Sequence, residues 1–257
     1  MKLRLAALLA CMALSAPLAA QQFDTISFGV DGGYPPFDVL APSGEITGFD
    51  IDIANALCTQ LKAKCVFVKQ PFESMIAALN AHKFDAIIAS LNMTDARKKE
   101  VDFTDRYYRS AAQLVARKGS PLLPEVASLK GKTVGVQTGS THEAFAKANW
   151  ANHGVKIVSY ANQDNVYLDL LSGRIDAALQ DNIQAATGFI DTPRGQKFAF
   201  AGPVIQDGGI SSEVGIAVNK DNPALRDALN GAIKAIRADG TYDAIQKKYF
   251  SIDIYGK

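Results

Sequence analysis

Apolar residues along this chain fall into two kinds of segment that take turns. Short continuous runs predict buried strands at Thr25–Val30, Cys65–Val68 and Ala86–Leu91. Longer stretches with apolar positions three and four apart predict helices at Asp50–Leu61 and Glu73–Asn80. The same order then starts again: strand Thr133–Val136, helix Thr141–Ala151, strand Lys156–Ser159, helix Asn165–Leu171 and strand Ile175–Leu179. Alternation of this kind points to α/β layering. A last strand, Gly215–Asn219, and the helices Pro223–Arg237 and Thr241–Phe250 have no counterpart in either series, so this segment is expected to return and complete the first half.

The two series also echo each other residue by residue. Phe28-Gly29-Val30-Asp31-Gly32-Gly33 parallels Val134-Gly135-Val136-Gln137-Thr138-Gly139, and Lys83-Phe84-Asp85-Ala86 parallels Arg174-Ile175-Asp176-Ala177. Two similar α/β lobes are therefore expected, with a ligand cleft between them beyond the carboxyl ends of the strands. The boundaries predicted are 21–110 with 210–257 for the first lobe and 111–209 for the second. Two crossings, near Ser110–Gln113 and Pro203–Ile210, would form a hinge.

The strand exit Ala89–Thr104 carries the first candidate chemistry. Ser90 and Asn92 offer hydroxyl, amide and backbone groups, Thr94 is placed to cap a short helix with Asp95 in its first turn, and Arg97 follows within one turn. A helix start with a guanidinium beside it suits a carboxylate; a solvated basic turn, continued by Lys98 and Lys99, is the plainer alternative.

The first twenty residues change the setting. Lys2 and Arg4, the apolar run Leu5–Leu14 and small residues ending at Ala20 form a secretory signal, with cleavage expected near Ala20. A competing reading makes Leu8-Leu9-Ala10-Cys11 a lipid-attachment box, although cleavage there leaves an unusually short apolar region. Removal of the signal leaves 25 basic against 26 acidic residues, a balance that gives no electrostatic case for nucleic acid. Cys58 and Cys65 are then the remaining cysteines, and an even count in an exported chain argues for a disulfide. Zinc is the weaker reading, since two cysteines cannot fill a tetrahedral shell. No cofactor or metal is expected.

Gly48-Phe49-Asp50-Ile51-Asp52, after the Tyr34-Pro35-Pro36-Phe37 loop, resembles the polar amino-acid solute-binding proteins of ABC importers. Ser90-Leu91 with Thr94 and Arg97, Ser128-Leu129-Lys130-Gly131-Lys132, Gly173-Arg174-Ile175-Asp176-Ala177 and Ala238-Asp239-Gly240-Thr241-Tyr242 extend the resemblance end to end. The spacing of Cys58 and Cys65 is similar to that in the lysine, arginine, ornithine and histidine binders. The resemblance implies a periplasmic-binding-protein fold and a monomeric, non-enzymatic carrier in the periplasm, handing an amino acid to a membrane permease. It also implies residue roles. Arg97 would hold the ligand carboxylate, helped by Ser90 and by donors near Ser140 and Thr141, and Asp181 would accept from the α-ammonium. Tyr34 and Phe72 would sandwich the side chain, with a cation–π contribution of about 1 to 2 kcal/mol, and Asp31 would face its cationic end. Ala89, Asn92, Gln137 and His142 depart from the lysine, arginine, ornithine and histidine binders, and Gln137 with His142 is more similar to arginine-selective members. Arginine is therefore the favoured ligand, ahead of ornithine, lysine and histidine. An exported dehydratase on the same fold and a sensor module for a membrane receptor are the alternatives; the first lacks a triad or metal cluster, the second a transmembrane segment.

Overall fold

The computed structural model describes residues 23–205, 210 and 212–256; the expected signal segment, including Cys11, lies outside the described residues. The chain opens with strand β1 (Thr25–Val30), followed by a small meander of β2 (Gly33–Tyr34), β3 (Asp38–Leu40) and β4 (Ile46–Thr47). Helix α1 (Phe49–Leu61) ends at Lys62 in the left-handed conformation and gives way to β5 (Lys64–Lys69). A disulfide between Cys58 and Cys65, with S–S 2.09 Å, ties the helix to that strand. Next come α2 (Met75–Asn80), β6 (Ala86–Ile87), α3 (Asp95–Glu100) and β7 (Asp102–Arg109).

The second series begins with β8 (Ala112–Arg117) and α4 (Val126–Leu129), then β9 (Thr133–Gln137) and α5 (Thr141–Asn149). It continues through β10 (Lys156–Tyr160), α6 (Gln163–Ser172), β11 (Ala177–Asp181), α7 (Asn182–Ala185) and β12 (Phe198–Phe200). The last elements are β13 (Glu213–Val218), α8 (Pro223–Ala238) and α9 (Thr241–Tyr249).

Two five-stranded sheets result, in the orders β5-β1-β6-β13-β7 and β10-β9-β11-β8-β12. Within each, the first three strands are parallel and the last two run antiparallel to their neighbours. The sheets are thus built to one plan, and β13 corresponds in position and direction to β8. That corrects the sequence expectation that the C-terminal strand has no counterpart: the two strands match in space although one follows and the other precedes its partners in the chain.

Around the first sheet, α1, α8 and α9 close over an aromatic core in which Phe37, Phe49, Tyr107, Tyr108 and Tyr242 are all but fully buried. Trp150, Leu129 and Val134 belong to the core of the second. One passage between the sheets is short. β7 hands over to β8 through Ser110 and Ala111, where the Asn182 side-chain oxygen accepts from Ser110 Oγ at 3.3 Å and Ala111 N at 3.1 Å. The return passage falls partly on undescribed residues.

Candidate functional site

Each sheet sends loops from the carboxyl ends of its strands into the gap between the lobes. In the first lobe these loops hang on buried carboxylates. Asp38, with no exposed surface, accepts backbone N–H bonds from Asp31 at 3.4 Å, Gly32 at 3.1 Å and Tyr34 at 3.2 Å, wrapping the loop after β1 around one acceptor side chain. Asp50 at the start of α1 does the same for the exit of β6. Its Oδ2 accepts from Ser90 N at 2.8 Å and Ser90 Oγ at 3.2 Å, and its Oδ1 from the Tyr107 hydroxyl at 2.9 Å. Ser90 has φ of 54°, so the chain turns there and the strand stops at Ile87, short of the predicted Leu91. Desolvation pushes Asp50 up to about 7 against the pull of Tyr107 and Ser90. Burial, with repulsion from Asp50 and Asp31, holds Asp38 well above the usual carboxylate range.

Thr94 caps α3, its hydroxyl accepting from Arg97 N at 3.3 Å. The buried Arg97 guanidinium donates to Asn92 O at 2.9 Å and, across the cleft, to Gly139 O at 3.0 Å, with further N–H donors to spare. Its Cζ lies 5.6 Å from the Phe72 ring centroid. Burial lowers Arg97 to about 10, offset in part by Asp181 and Glu100, so it stays cationic at neutral pH.

The second lobe answers with a helix start, polar side chains and one buried carboxylate, Asp181. Ser140 caps α5 by accepting from Glu143 N at 3.0 Å, while Glu143 reaches back to Gly139 N at 2.7 Å, a variant of the capping box. Gly139 has φ of +76°, and a Cβ there would sit 2.8 Å from Glu73 Cα in the first lobe, so only glycine lets the loop close this far. Four further contacts bridge the lobes. Tyr34 OH donates to Asp181 Oδ2 at 2.7 Å, Gln137 Nε2 to Asp31 Oδ2 at 3.0 Å, Thr141 Oγ1 to Asn92 Oδ1 at 3.1 Å, and Gln184 Nε2 to Pro35 O at 2.9 Å. His142 Nε2 stands 3.5 Å from Asp181 Oδ1, both side chains buried. Desolvation raises Asp31, against the hydrogen bond from Gln137, a backbone bond from Phe72 and the charge of Lys69.

These loops enclose a small cavity of about 20 Å³. Asp31, Tyr34, Phe72, Ser90, Asn92, Gln137, Ser140, His142 and Asp181 line it, together with Ala89 and Gln163. Arg97 and Thr141, the remaining residues singled out from the sequence, stand just behind Asn92, which both contact. Three features were not read from the sequence. Gln163 looks like any polar residue opening a helix, and Asp38 and Asp50 like solvated acids. Only Asp50 carried a signal, its place in the Gly48–Asp52 motif. Among the described residues, no group of three or more His, Cys, Asp or Glu is placed to hold a metal ion, and no helix is long and apolar enough to cross a membrane.

Two α/β lobes of one plan, facing each other across a small charged cavity, define a receptor for a small polar solute. The chain belongs to the bacterial extracellular solute-binding proteins, family 3, which it matches over residues 26–252. It is 46% identical over 234 residues to the lysine/arginine/ornithine-binding periplasmic protein of Escherichia coli strain K12, covering 91% of this chain and 90% of that protein. To the L-arginine-binding protein of Pseudomonas aeruginosa it is 43% identical over 256 residues, 99% of this chain and 98% of the other. Among solved structures, an ancestral arginine-binding protein bound to arginine superposes with a TM-score of 0.82 at 35% identity, over 90% of this chain and all of that one.

Proposed function

We propose that this chain is the exported, periplasmic receptor of an ABC importer for basic L-amino acids, with arginine its preferred ligand. The observation that carries the reading is the charge of the cavity. Asp31 and Asp181, one from each lobe, are both buried in its wall, and Arg97 is the cation beside them. A zwitterion with a second cationic group presents the complementary set, one carboxylate and two cations. Neutral amino acids would leave one buried carboxylate without a charged partner, which is costly.

In this reading Arg97 meets the ligand carboxylate, Asp181 the α-ammonium and Asp31 the side-chain cation, while Tyr34 and Phe72 flank the stem. Residues 21–110 with 210–257, and 111–209, act as lobes about a two-crossing hinge. Closure removes water from the charge pairs and so strengthens them, and the closed form docks on the permease as a monomer. Binding without turnover is supported by the names of the relatives and by the cavity itself, whose carboxylates face cationic ligand groups in this assignment.

Calorimetry against arginine, lysine, ornithine, histidine and citrulline tests the reading. Citrulline keeps the shape of arginine and loses the charge, so it is expected to bind at least about a hundredfold more weakly, a difference near 2.7 kcal/mol. Equal affinity for the two, or no binding of any basic amino acid, overturns it.

A further inference from the structure

A chain of buried hydrogen bonds leaves the cavity at Gln163 and ends on the other lobe. Gln163 Nε2 donates to Gln180 Oε1, Gln180 Nε2 donates to the Tyr167 hydroxyl, that hydroxyl donates to Gln184 Oε1, and Gln184 Nε2 donates to Pro35 O at 2.9 Å. All four side chains of the second lobe are 1% exposed or less. Tyr167 is pinned from one side by Phe189, stacked at 4.0 Å between ring centroids. Pro35 O is seated against Gly188, where a Cβ would approach it to 2.2 Å.

The polarity of this chain is decided at its far end. A backbone carbonyl can only accept, so Gln184 must present its amide nitrogen to Pro35 and its oxygen to Tyr167. Tyr167 must then donate to Gln184 and accept from Gln180. Gln180 in turn must offer its oxygen to Gln163, and Gln163 is left with its amide oxygen for the cavity it lines. Each link removes one orientation from the next, and a reversed amide anywhere would set two donors or two acceptors against each other among fully buried side chains. Such a mismatch costs a buried polar group its partner.

We infer that Gln163 is a specificity-determining acceptor for the ligand, and that Gln180, Tyr167 and Gln184 are positioning residues through which the Pro35 carbonyl of the first lobe holds it in that orientation. The ligand it favours is one rich in N–H donors, as a guanidinium or an ammonium is, and this clause rests on the function proposed above. Parting of the lobes at Pro35 would free the whole relay to reverse, so lobe closure and the presentation of the acceptor are coupled.

Tyr167→Phe deletes one hydroxyl outside the cavity and keeps the stacked ring. Affinity for L-arginine by calorimetry is expected to fall about tenfold, close to the worth of one buried hydrogen bond. Gln163→Leu is expected to fall at least as far, and the double variant no further than Gln163→Leu alone. Losses that add, or a Tyr167→Phe affinity within about twofold of the wild type, overturn the relay. Gln184→Met, which keeps the length of the side chain, repeats the test if Tyr167→Phe folds poorly. Should the wild type bind no basic amino acid, the functional reading fails and the relay is judged without ligand. Side-chain amide protons of Gln163 and Gln180, followed by NMR, are expected to exchange slowly in the wild type and faster in Tyr167→Phe; unchanged exchange overturns it.

Discussion

The two lobes share one sheet plan yet hold their halves of the cleft by opposite chemistry. The first hangs its loops on Asp38 and Asp50, carboxylates with no exposed surface. The second relies on amides and a tyrosine hydroxyl, with a single structural carboxylate, Glu143, at its capped helix start. The difference bears on what each half must do. A loop gathered around one acceptor is fixed before any ligand arrives, because several backbone N–H groups depend on the same two oxygens. A relay of amides has a direction that can be set from outside, here by a carbonyl of the opposite lobe. The first lobe is thus the preformed half, and the second the half that responds.

The strongest test of that contrast is Arg97→Ala. Arg97 is the cation assigned to the ligand carboxylate, and its loss is expected to cost about 2 to 5 kcal/mol of binding for any α-amino acid. Calorimetry reads it directly, and an unchanged affinity would remove Arg97 from the site. Because the guanidinium also bridges to Gly139 O, the closed population, followed by small-angle scattering, should fall as well.

The next effect is on stability, and its sign differs between Asp50 and Glu143. Asp50 rises from 3.8 in the unfolded chain to about 7 in the fold, chiefly through desolvation. Between those values the folded chain holds a proton that the unfolded chain has released. Stability tied to Asp50 is therefore complete below the unfolded value and declines as pH rises through about 7, at roughly 1.4 kcal/mol per pH unit. Glu143 in the second lobe has the opposite sense. Burial would raise it, but hydrogen bonds from Lys147, Ser159 and Gly139 prevail and lower it, so its contribution is present above the unfolded value and is lost in acid. Urea unfolding of the wild type and Asp50→Asn at pH 5 and 7 is expected to show a declining component that the variant lacks. Parallel profiles would break the comparison.

Reduction of the Cys58–Cys65 bridge should act on the first lobe alone. The loop it closes is short, and about 2 to 3 kcal/mol of stability is expected to go with it. Urea unfolding with and without reductant measures the loss, and hydrogen exchange assigns it: faster exchange confined to α1 and β5 is expected, and equal acceleration in β9 and β10 would mean that the lobes unfold as one.

Much of this layout was legible in the chain because each lobe repeats strand, helix and strand with clear apolar runs, and because Asp31, Gln137 and Asp181 sit where such strands end. What stayed hidden was made by non-local pairing. β7 reads Asp-Phe-Thr-Asp-Arg-Tyr-Tyr-Arg, too polar for a buried run, and is held by β13 from more than a hundred residues away. β8 begins inside the expected crossing Ser110–Gln113 and fills in the second sheet the place that β13 fills in the first. The scaffolding of the site was hidden for a related reason. A carboxylate or amide becomes a structural group only when burial removes its water, and nothing in the local pattern around Asp38 or Gln163 records that burial.

The smallest effect compares like with like, since each lobe brings one capped helix start to the cleft. Thr94 and Ser140 both accept a backbone N–H from three residues on, and replacing either by alanine is expected to cost about 1 kcal/mol of stability. Their effects on binding should differ. The N–H that Thr94 accepts belongs to Arg97, so a frayed α3 displaces the residue assigned to the ligand carboxylate. In the second lobe Glu143 is also held by Gly139, Lys147 and Ser159, and α5 stays in place when its cap is lost. Thr94→Ala is therefore expected to weaken arginine binding about fivefold, a shift near 1 kcal/mol, and Ser140→Ala by less than about half of that energy. Equal losses in calorimetry would show that the second lobe's helix start is as directly engaged as Arg97, and that the division into a preformed half and a responsive half is drawn in the wrong place.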